Sequence, residues 1–352
     1  MKAEGREMKS DTLLEIKDLK THFFLDEGTV KAVEGADLTI RRGGTLGVVG
    51  ESGCGKSVTA YSILQLVESP GRIVEGQIIF HRQLKRDGQA RMTDIVDLAA
   101  LKPGSREMRE IRGEEIAMVF QEPMTSLSPV HTIGNQIEEV ILLHRRVDQT
   151  TARQQAIEML HRVGIPKSEE RIDAYPFQLS GGMRQRAMIA MALACHPSLL
   201  IADEPTTALD VTTQAQILEL IQGLQRDWGM AVMLITHNLG MVAEICEEIV
   251  VMYLGEVIER ADVFALFREP LHPYTRALLR SIPRLGQIKQ GRLDPIQGAV
   301  PDPYNRPAGC PFHPRCAQMM LGKCDQIHPA LIEQGDSRAV RCLLYGEPSE
   351  NK

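Results

Sequence analysis

Residues 50–57 read Gly50-Glu51-Ser52-Gly53-Cys54-Gly55-Lys56-Ser57, a GxxxxGK[ST] pattern. Glycines at these positions let successive backbone N–H groups turn inward onto phosphate oxygens. Lys56 brings a cation to the β- and γ-phosphates, and Ser57 a hydroxyl for magnesium. The short apolar run Thr45–Gly50 leads into the turn and a helical stretch, Ser57–Val67, leads out of it. That helix adds its positive N-terminal end to the anion site. Cys54 occupies a variable position of the pattern and reads as incidental rather than as a redox switch.

A second chemical feature lies downstream. Leu199-Leu200-Ile201-Ala202-Asp203-Glu204 is an apolar strand that ends in two acids. Alone, such an ending is an ordinary strand-to-loop transition. With a phosphate loop upstream, Asp203 stands where it can hold magnesium, often through water. Glu204 stands where it can polarise an attacking water as general base. Two acids beside a polyphosphate repel it unless a cation intervenes, which independently implies Mg²⁺. A third feature is Cys310, Cys316, Cys324 and Cys342, four of the seven cysteines, crowded into the tail.

Several elements must position these groups. Residues 13–20 and 36–41 alternate as half-buried strands, and 76–80 and 115–120 read as further strands. The polar stretch 81–112 between them reads as a surface insertion. Helical spacing marks 134–164, and a glycine turn at Leu179–Gly182 opens a helix over 183–195. Compact apolar runs at 198–202, 231–235 and 249–254 alternate with helices at 213–226 and 239–246. Strands alternating with helices predict an α/β domain with a largely parallel, buried sheet. From about residue 265 prolines and cysteines multiply, which places a domain boundary there.

The chain has 352 residues, with 40 Lys and Arg against 46 Asp and Glu, for a net charge of −6. This composition excludes a collagen, a disulfide-dense miniprotein and a disordered chain, and it argues against a general nucleic-acid binder. The N-terminus is charged throughout and lacks the apolar stretch of a signal peptide. Ala187–Ala202 carries no charged side chain, but His196-Pro197 interrupts it, so it reads as a buried helix, a turn and a buried strand. The protein is expected to be soluble and cytoplasmic, acting on membranes through partner chains.

These motifs together resemble those of ABC ATPases. Leu179-Ser180-Gly181-Gly182-Met183, just ahead of Asp203, resembles the family's signature motif, with Met183 where glutamine is commonest. Gln121 matches the Q-loop glutamine, which meets magnesium and the attacking water beside the transmembrane partner. Asp210, in Ala208-Leu209-Asp210, matches the D-loop, and His237 the switch histidine near the γ-phosphate. Asn238 departs from the usual aspartate. Phe23 or Phe24 would stack on adenine, where tyrosine is usual. The resemblance covers about residues 12–265. It implies a RecA-like core with an antiparallel β subdomain and a helical subdomain, ATP and Mg²⁺ as ligands (Mg²⁺ through Ser57, Gln121 and Asp203), and catalysis by Glu204, His237 and Gln121. In the family the signature faces ATP held by the other subunit, so the chain should work in a dimer with two composite sites.

The tail resembles the oligopeptide/dipeptide/nickel importer subfamily. His272-Pro273-Tyr274-Thr275-Arg276-Ala277-Leu278-Leu279, Gln121–Pro129 and Cys310-Pro311-Phe312-His313-Pro314-Arg315-Cys316 carry that likeness. Four thiols in a reducing compartment suit zinc or an iron–sulfur cluster, or stay free. Subfamily members are known with a [4Fe–4S] cluster at matching cysteines, so the resemblance implies one at Cys310, Cys316, Cys324 and Cys342; His313 and His328 read as surface residues. It further implies a 12–265 ATPase domain and an irregular, cysteine-rich 266–352 domain. Expected partners are two permeases, a second ATPase subunit, identical or homologous, and a substrate-binding protein, with the chain peripheral at the cytoplasmic face. The expected cargo is a di- or oligopeptide; nickel, opine, glutathione or an oligosaccharide are alternatives, as is a soluble, non-transport ABC ATPase.

Overall fold

Alternating polar and apolar residues make long strands at the N-terminal end of the computed structural model, which describes residues 11–84, 92–122, 126–207, 209–281, 296–335 and 337–346. Strand β1 is Thr12–Leu25, β2 is Gly28–Arg41 and β3 is Thr45–Val49. Helix α1, Lys56–Ile63, follows the glycine turn, and then come β4, Gly71–Leu84, and β5, Met92–Asp97. Next are α2 (Arg106–Glu114), β6 (Ile116–Val119), α3 (Ile133–His144), α4 (Gln149–Arg162) and α5 (Gly181–Leu193). The chain continues through β7 (Leu199–Asp203), α6 (Val211–Trp228), β8 (Ala231–Ile235), α7 (Leu239–Ile245) and β9 (Glu248–Tyr253). It closes with β10 (Glu256–Asp262), α8 (Val263–Arg268), α9 (Pro273–Arg280), β11 (Ile332–Glu333) and β12 (Ala339–Val340).

The chain forms two compact units, each gathered from separate stretches. The first takes the chain up to Leu13, Ile40–Thr45 and Leu101–Ile235; the second takes Leu14–Thr39, Leu46–Ala100 and the chain from Thr236 onward. In the first unit β6, β7 and β8 run parallel, with Ile116 opposite Leu199 and Leu199 opposite Ala231. Every residue of these strands is buried, because a parallel sheet is covered on both faces. Helices α3, α4 and α5 pack on one another in the same unit. The stretch 134–164 expected as helical is two helices. Asp148 caps the second by accepting from Thr151 N at 2.7 Å, as an N-cap carboxylate does.

In the second unit β4 pairs antiparallel with both β1 and β5. The strand order in its other sheet is β11-β12-β10-β9-β3, with β3 parallel to β9 and β10 antiparallel to β9. The tail joins this sheet: Val340 lies opposite Glu259 and Ala339 opposite Arg260.

One expectation changes. The stretch 81–112 is not simply a surface insertion: β4 extends into it as far as Leu84, β5 pairs back, and α2 follows. Residues 85–91 lie outside the described residues. The polar end of β4 and β5 escaped notice because they bury no continuous apolar face; their register is set by pairings such as Arg82 opposite Asp94, whose side chains stand 3.6 Å apart. The break expected in Ala187–Ala202 is present: α5 stops at Leu193, His196 takes φ 50°, and β7 begins at Leu199. Among the described residues no helix is long and apolar enough to cross a membrane.

Candidate functional site

Strand β3 delivers the chain into the glycine turn, and α1 carries it away, as the motif requires. Gly55 is the N-cap of α1 at φ 98°, and no side chain caps the helix. The first-turn N–H groups are therefore left for an anion. A Cβ at Gly55 would fall 2.3 Å from the Ala32 carbonyl oxygen, and one at Gly50 2.3 Å from that of Met252, so only glycine fits. Lys56 is buried, and its Nζ donates to the carbonyl oxygens of Gly50 at 2.9 Å and Glu51 at 3.0 Å. Ser57 is the second residue of α1, half-buried, and Ser52 and Gly53 are exposed. The Cys54 thiol lies 3.7 Å from Lys56 Nζ, and burial pushes its pKa up. Uncapped N–H groups, a buried ammonium and a hydroxyl fit a magnesium-bound polyphosphate.

Glu51 is held on both sides. Its backbone N–H donates to Tyr274 Oη at 2.9 Å. Its carboxylate accepts from Arg315 Nη1 at 2.7 Å and Nη2 at 3.1 Å.

In the first unit, buried β7 ends at Asp203, 1% exposed, and the chain turns sharply at Glu204, φ 46°. A non-glycine residue there carries backbone strain. Its environment holds it: Glu204 N donates to Ile235 O at 2.9 Å. Gln121 Nε2 donates to Glu204 Oε2 at 3.1 Å, and Thr207 Oγ1 donates to the same oxygen at 2.9 Å. The predicted Gln121 and Glu204 thus meet. Thr207 was not foreseen, because a loop threonine three residues beyond the acid carries no signal by itself. Pro123, Met124 and Thr125 of the expected Q-loop extension, and Ala208 of the D-loop, lie outside the described residues.

Ser180 caps α5, accepting from Met183 N at 3.3 Å, so Gly181 and Gly182 form its first turn. Arg184 Nη1 donates to the Leu179 carbonyl oxygen at 2.9 Å. Asp210 caps α6, accepting from Thr213 N at 3.0 Å and Thr213 Oγ1 at 2.7 Å, and these bonds lower its pKa. His237 is exposed in the second unit. Asn238 caps α7 by accepting from Gly240 N and Met241 N, so asparagine serves the turn beside the histidine. Phe23 is half-buried opposite Gly71, whereas Phe24 is 40% exposed with the Arg72 guanidinium 4.5 Å from its ring centre.

The tail cysteines are free thiols; Cys310, Cys324 and Cys342 are buried and Cys316 is half-buried. Burial pushes Cys310 up to about 12, and Cys342, Cys324 and Cys316 add to the shift. Cys310 N donates to Cys324 O at 2.8 Å. The thiols therefore feel one another, but among the described residues no three His, Cys, Asp or Glu side chains stand in metal-holding geometry. His313 Nδ1 lies 2.9 Å from Cys310 O, and His328 Nε2 lies 2.8 Å from Glu256 Oε1.

Residues 33–207 match the family described as ABC transporter, and residues 258–324 match the one described as oligopeptide/dipeptide transporter, C-terminal region. The chain is 49% identical to a probable peptide ABC transporter ATP-binding protein of Sinorhizobium fredii, over 96% of this chain and 97% of that one. It is 49% identical to the oligopeptide transport ATP-binding protein AppD of Bacillus subtilis, over 96% and 98%. It is 46% identical to the dipeptide transport ATP-binding protein DppD of Escherichia coli, over 94% and 96%. Among solved structures it resembles the dimeric ATP-binding cassette MJ0796 bound to ADP and Pi, with TM-score 0.60 and 27% identity over 71% of this chain and 99% of that one.

Proposed function

This chain belongs to the ABC transporter family, in the branch with the oligopeptide/dipeptide C-terminal region, and from that footing we propose how its residues drive peptide uptake. It is an ATP-hydrolysing subunit of a peptide importer, works with membrane permeases, and takes ATP and Mg²⁺. The observation that carries the catalytic assignment is the Gln121–Glu204 hydrogen bond at the end of buried β7. Glu204 orients and deprotonates the attacking water, and Gln121 and Thr207 fix its carboxylate. Lys56 and the first-turn N–H groups of α1 bind the phosphates, and Gly50, Glu51, Ser52, Gly53, Cys54 and Gly55 shape the loop. Ser57, Asp203 and Gln121 would hold Mg²⁺, which neutralises charge on the phosphates when bound. His237 supports the γ-phosphate, and Phe23, with Phe24 the alternative, the adenine.

Leu179, Ser180, Gly181, Gly182 and Met183 of one subunit face the phosphates held by the second, with Asp210 at that junction. ATP binding closes this pair and hydrolysis reopens it, so binding energy biases a two-state element. The partners are two permeases, a second ATPase subunit and a substrate-binding protein, with the chain peripheral at the cytoplasmic face. Residues 12–265 form the ATPase domain and 266–352 the C-terminal domain. Uptake of labelled di- and oligopeptides by the reconstituted complex tests the cargo. Peptide uptake that requires ATP supports it; transport of nickel or an oligosaccharide in place of peptide overturns it.

The thiols of Cys310, Cys316, Cys324 and Cys342 form a donor set for a [4Fe–4S] cluster, with zinc the alternative. The four thiols share the tail, and Cys342, Cys324 and Cys316 each add to the raised pKa of Cys310, which supports this reading. Anaerobic purification with iron, sulfide and zinc quantification decides it, and Cys310→Ser should abolish the bound metal.

A further inference from the structure

The phosphate loop rests on the tail. Arg315 lies in the turn between Cys310 and Cys316, 264 residues from Glu51, yet its side chain is 3% exposed and grips that carboxylate through both terminal nitrogens. Such a two-pronged charged pair fixes orientation as well as distance. Three further contacts lock the guanidinium: Nε donates to Gln297 O at 3.2 Å, Nη1 to Tyr253 Oη at 3.4 Å, and the group lies 5.9 Å from the Tyr253 ring centre. Tyr274, fully buried, accepts the Glu51 N–H at 2.9 Å. Phe312 packs its ring against Tyr253, Tyr274 and His272 at 5.3, 5.4 and 5.7 Å, tying the cysteine turn to the start of α9. The remaining polar group of Glu51, its carbonyl, takes Lys56 Nζ at 3.0 Å. One residue of the loop is therefore fixed at its N–H and side chain by tail residues and at its carbonyl by the lysine that must meet phosphate.

We propose that Arg315 and Tyr274 are positioning residues of the ATP site: through Glu51 the C-terminal segment holds the phosphate loop in its receptive shape. Neither residue touches nucleotide. Their loss lets the Gly50–Glu51 peptide rotate and displaces Lys56, which weakens ATP binding while leaving Glu204 and Gln121 in place. The C-terminal segment is then a working part of the nucleotide site, and whatever alters the turn Cys310–Cys316 is felt at the loop.

This proposal rests on residues 50–57 binding ATP, so the test carries Lys56→Ala as a separate arm. The full chain in the assembled transporter is titrated with a fluorescent ATP analogue, and ATPase kinetics are measured for Arg315→Gln, Arg315→Lys, Glu51→Gln, Tyr274→Phe and the double variant Glu51→Gln/Arg315→Gln. Arg315→Gln is expected to weaken ATP binding on the order of tenfold, the low end of the worth of a hydrogen bond to a charged group, with KM rising and kcat at saturation changing little. Arg315→Lys recovers part of this, and the double variant is no worse than the worse single one, because both remove the same interaction. Tyr274→Phe removes one hydrogen bond without emptying the cluster and raises KM about two- to tenfold. Unchanged ATP binding in both Arg315→Gln and Tyr274→Phe overturns the proposal, as does an equal fall in kcat with KM unchanged. If Lys56→Ala still binds ATP normally, the assignment of the loop itself fails; if Lys56→Ala is dead while Arg315→Gln and Tyr274→Phe are normal, only the clamp fails.

Discussion

At the residue scale, the proposed chemistry turns on Glu204, held at φ 46° by a backbone bond to Ile235 and by Gln121 and Thr207 on its carboxylate. Glu204→Gln keeps the shape and the hydrogen-bonding capacity but removes the base. It should trap an ATP-bound dimer, seen as a shift to larger size on gel filtration with ATP, and abolish turnover. Full hydrolysis by this variant in the assembled complex would remove Glu204 from its role. Thr207→Ala deletes one donor to Oε2 and should slow turnover about two- to tenfold, the worth of one net hydrogen bond. ATP affinity should hardly change, and a fall in affinity with intact kcat would place Thr207 in binding instead. The sequence pattern marked Gln121 and Glu204 but not Thr207, since a threonine in a loop carries no signal until the carboxylate's direction is known.

At the scale of elements, the buried parallel strands are what aim the acids. Leu200 is fully buried in the middle of β7, between β6 and β8. Leu200→Ala should cost about 2–5 kcal/mol by the transfer and cavity terms, read as a lower urea midpoint. A loss under about 0.5 kcal/mol, the scale of surface changes, would mean the sheet does not pack there as described. Helix caps place the motif residues: Ser180, Asp210 and Asn238 each begin a helix with a side-chain oxygen on a backbone N–H. Asn238→Ala should cost about 1 kcal/mol, and Asn238→Asp should recover it. Apolar periodicity made β3, β7, β8 and α5 readable. The apolar middle of β4 was readable too, but its polar end and β5 were not, because their order comes from cross-strand partners instead of a continuous buried face.

At the scale of the whole molecule, the tail is held by buried polar groups whose protonation differs between folded and unfolded chain. His272 is 1% exposed, and burial, with Arg276 adding, pushes its pKa from 6.5 down to about 3. Folded, it stays neutral and accepts from Tyr274 N at 3.0 Å; unfolded, it takes up a proton below about pH 6.5. Its contribution to stability is whole above pH 6.5 and is lost as pH falls from there toward 3, at up to about 1.4 kcal/mol per pH unit. Burial raises the carboxyl of Glu259, which accepts the His272 N–H, and this acts in the opposite sense. The decisive comparison is therefore with His272→Asn, which retains a helix-capping acceptor. Its melting temperature should fall less than that of the native chain between about pH 7 and about pH 5; an equal fall would assign the acid sensitivity to other groups.

The sequence alone determined the phosphate loop, the paired acids, the signature turn and the α/β alternation, because each is local: a glycine spacing, a charge after an apolar run, a period of two or 3.6 residues. It also marked the four-cysteine tail as distinct. Tertiary structure alone decided what that tail does to the rest: β12 pairs with β10, and Arg315 closes on Glu51 across 264 residues. A salt bridge between distant residues leaves no spacing to read. Its partners are chosen by the burial that brings them together and by the cost of leaving either charge buried alone.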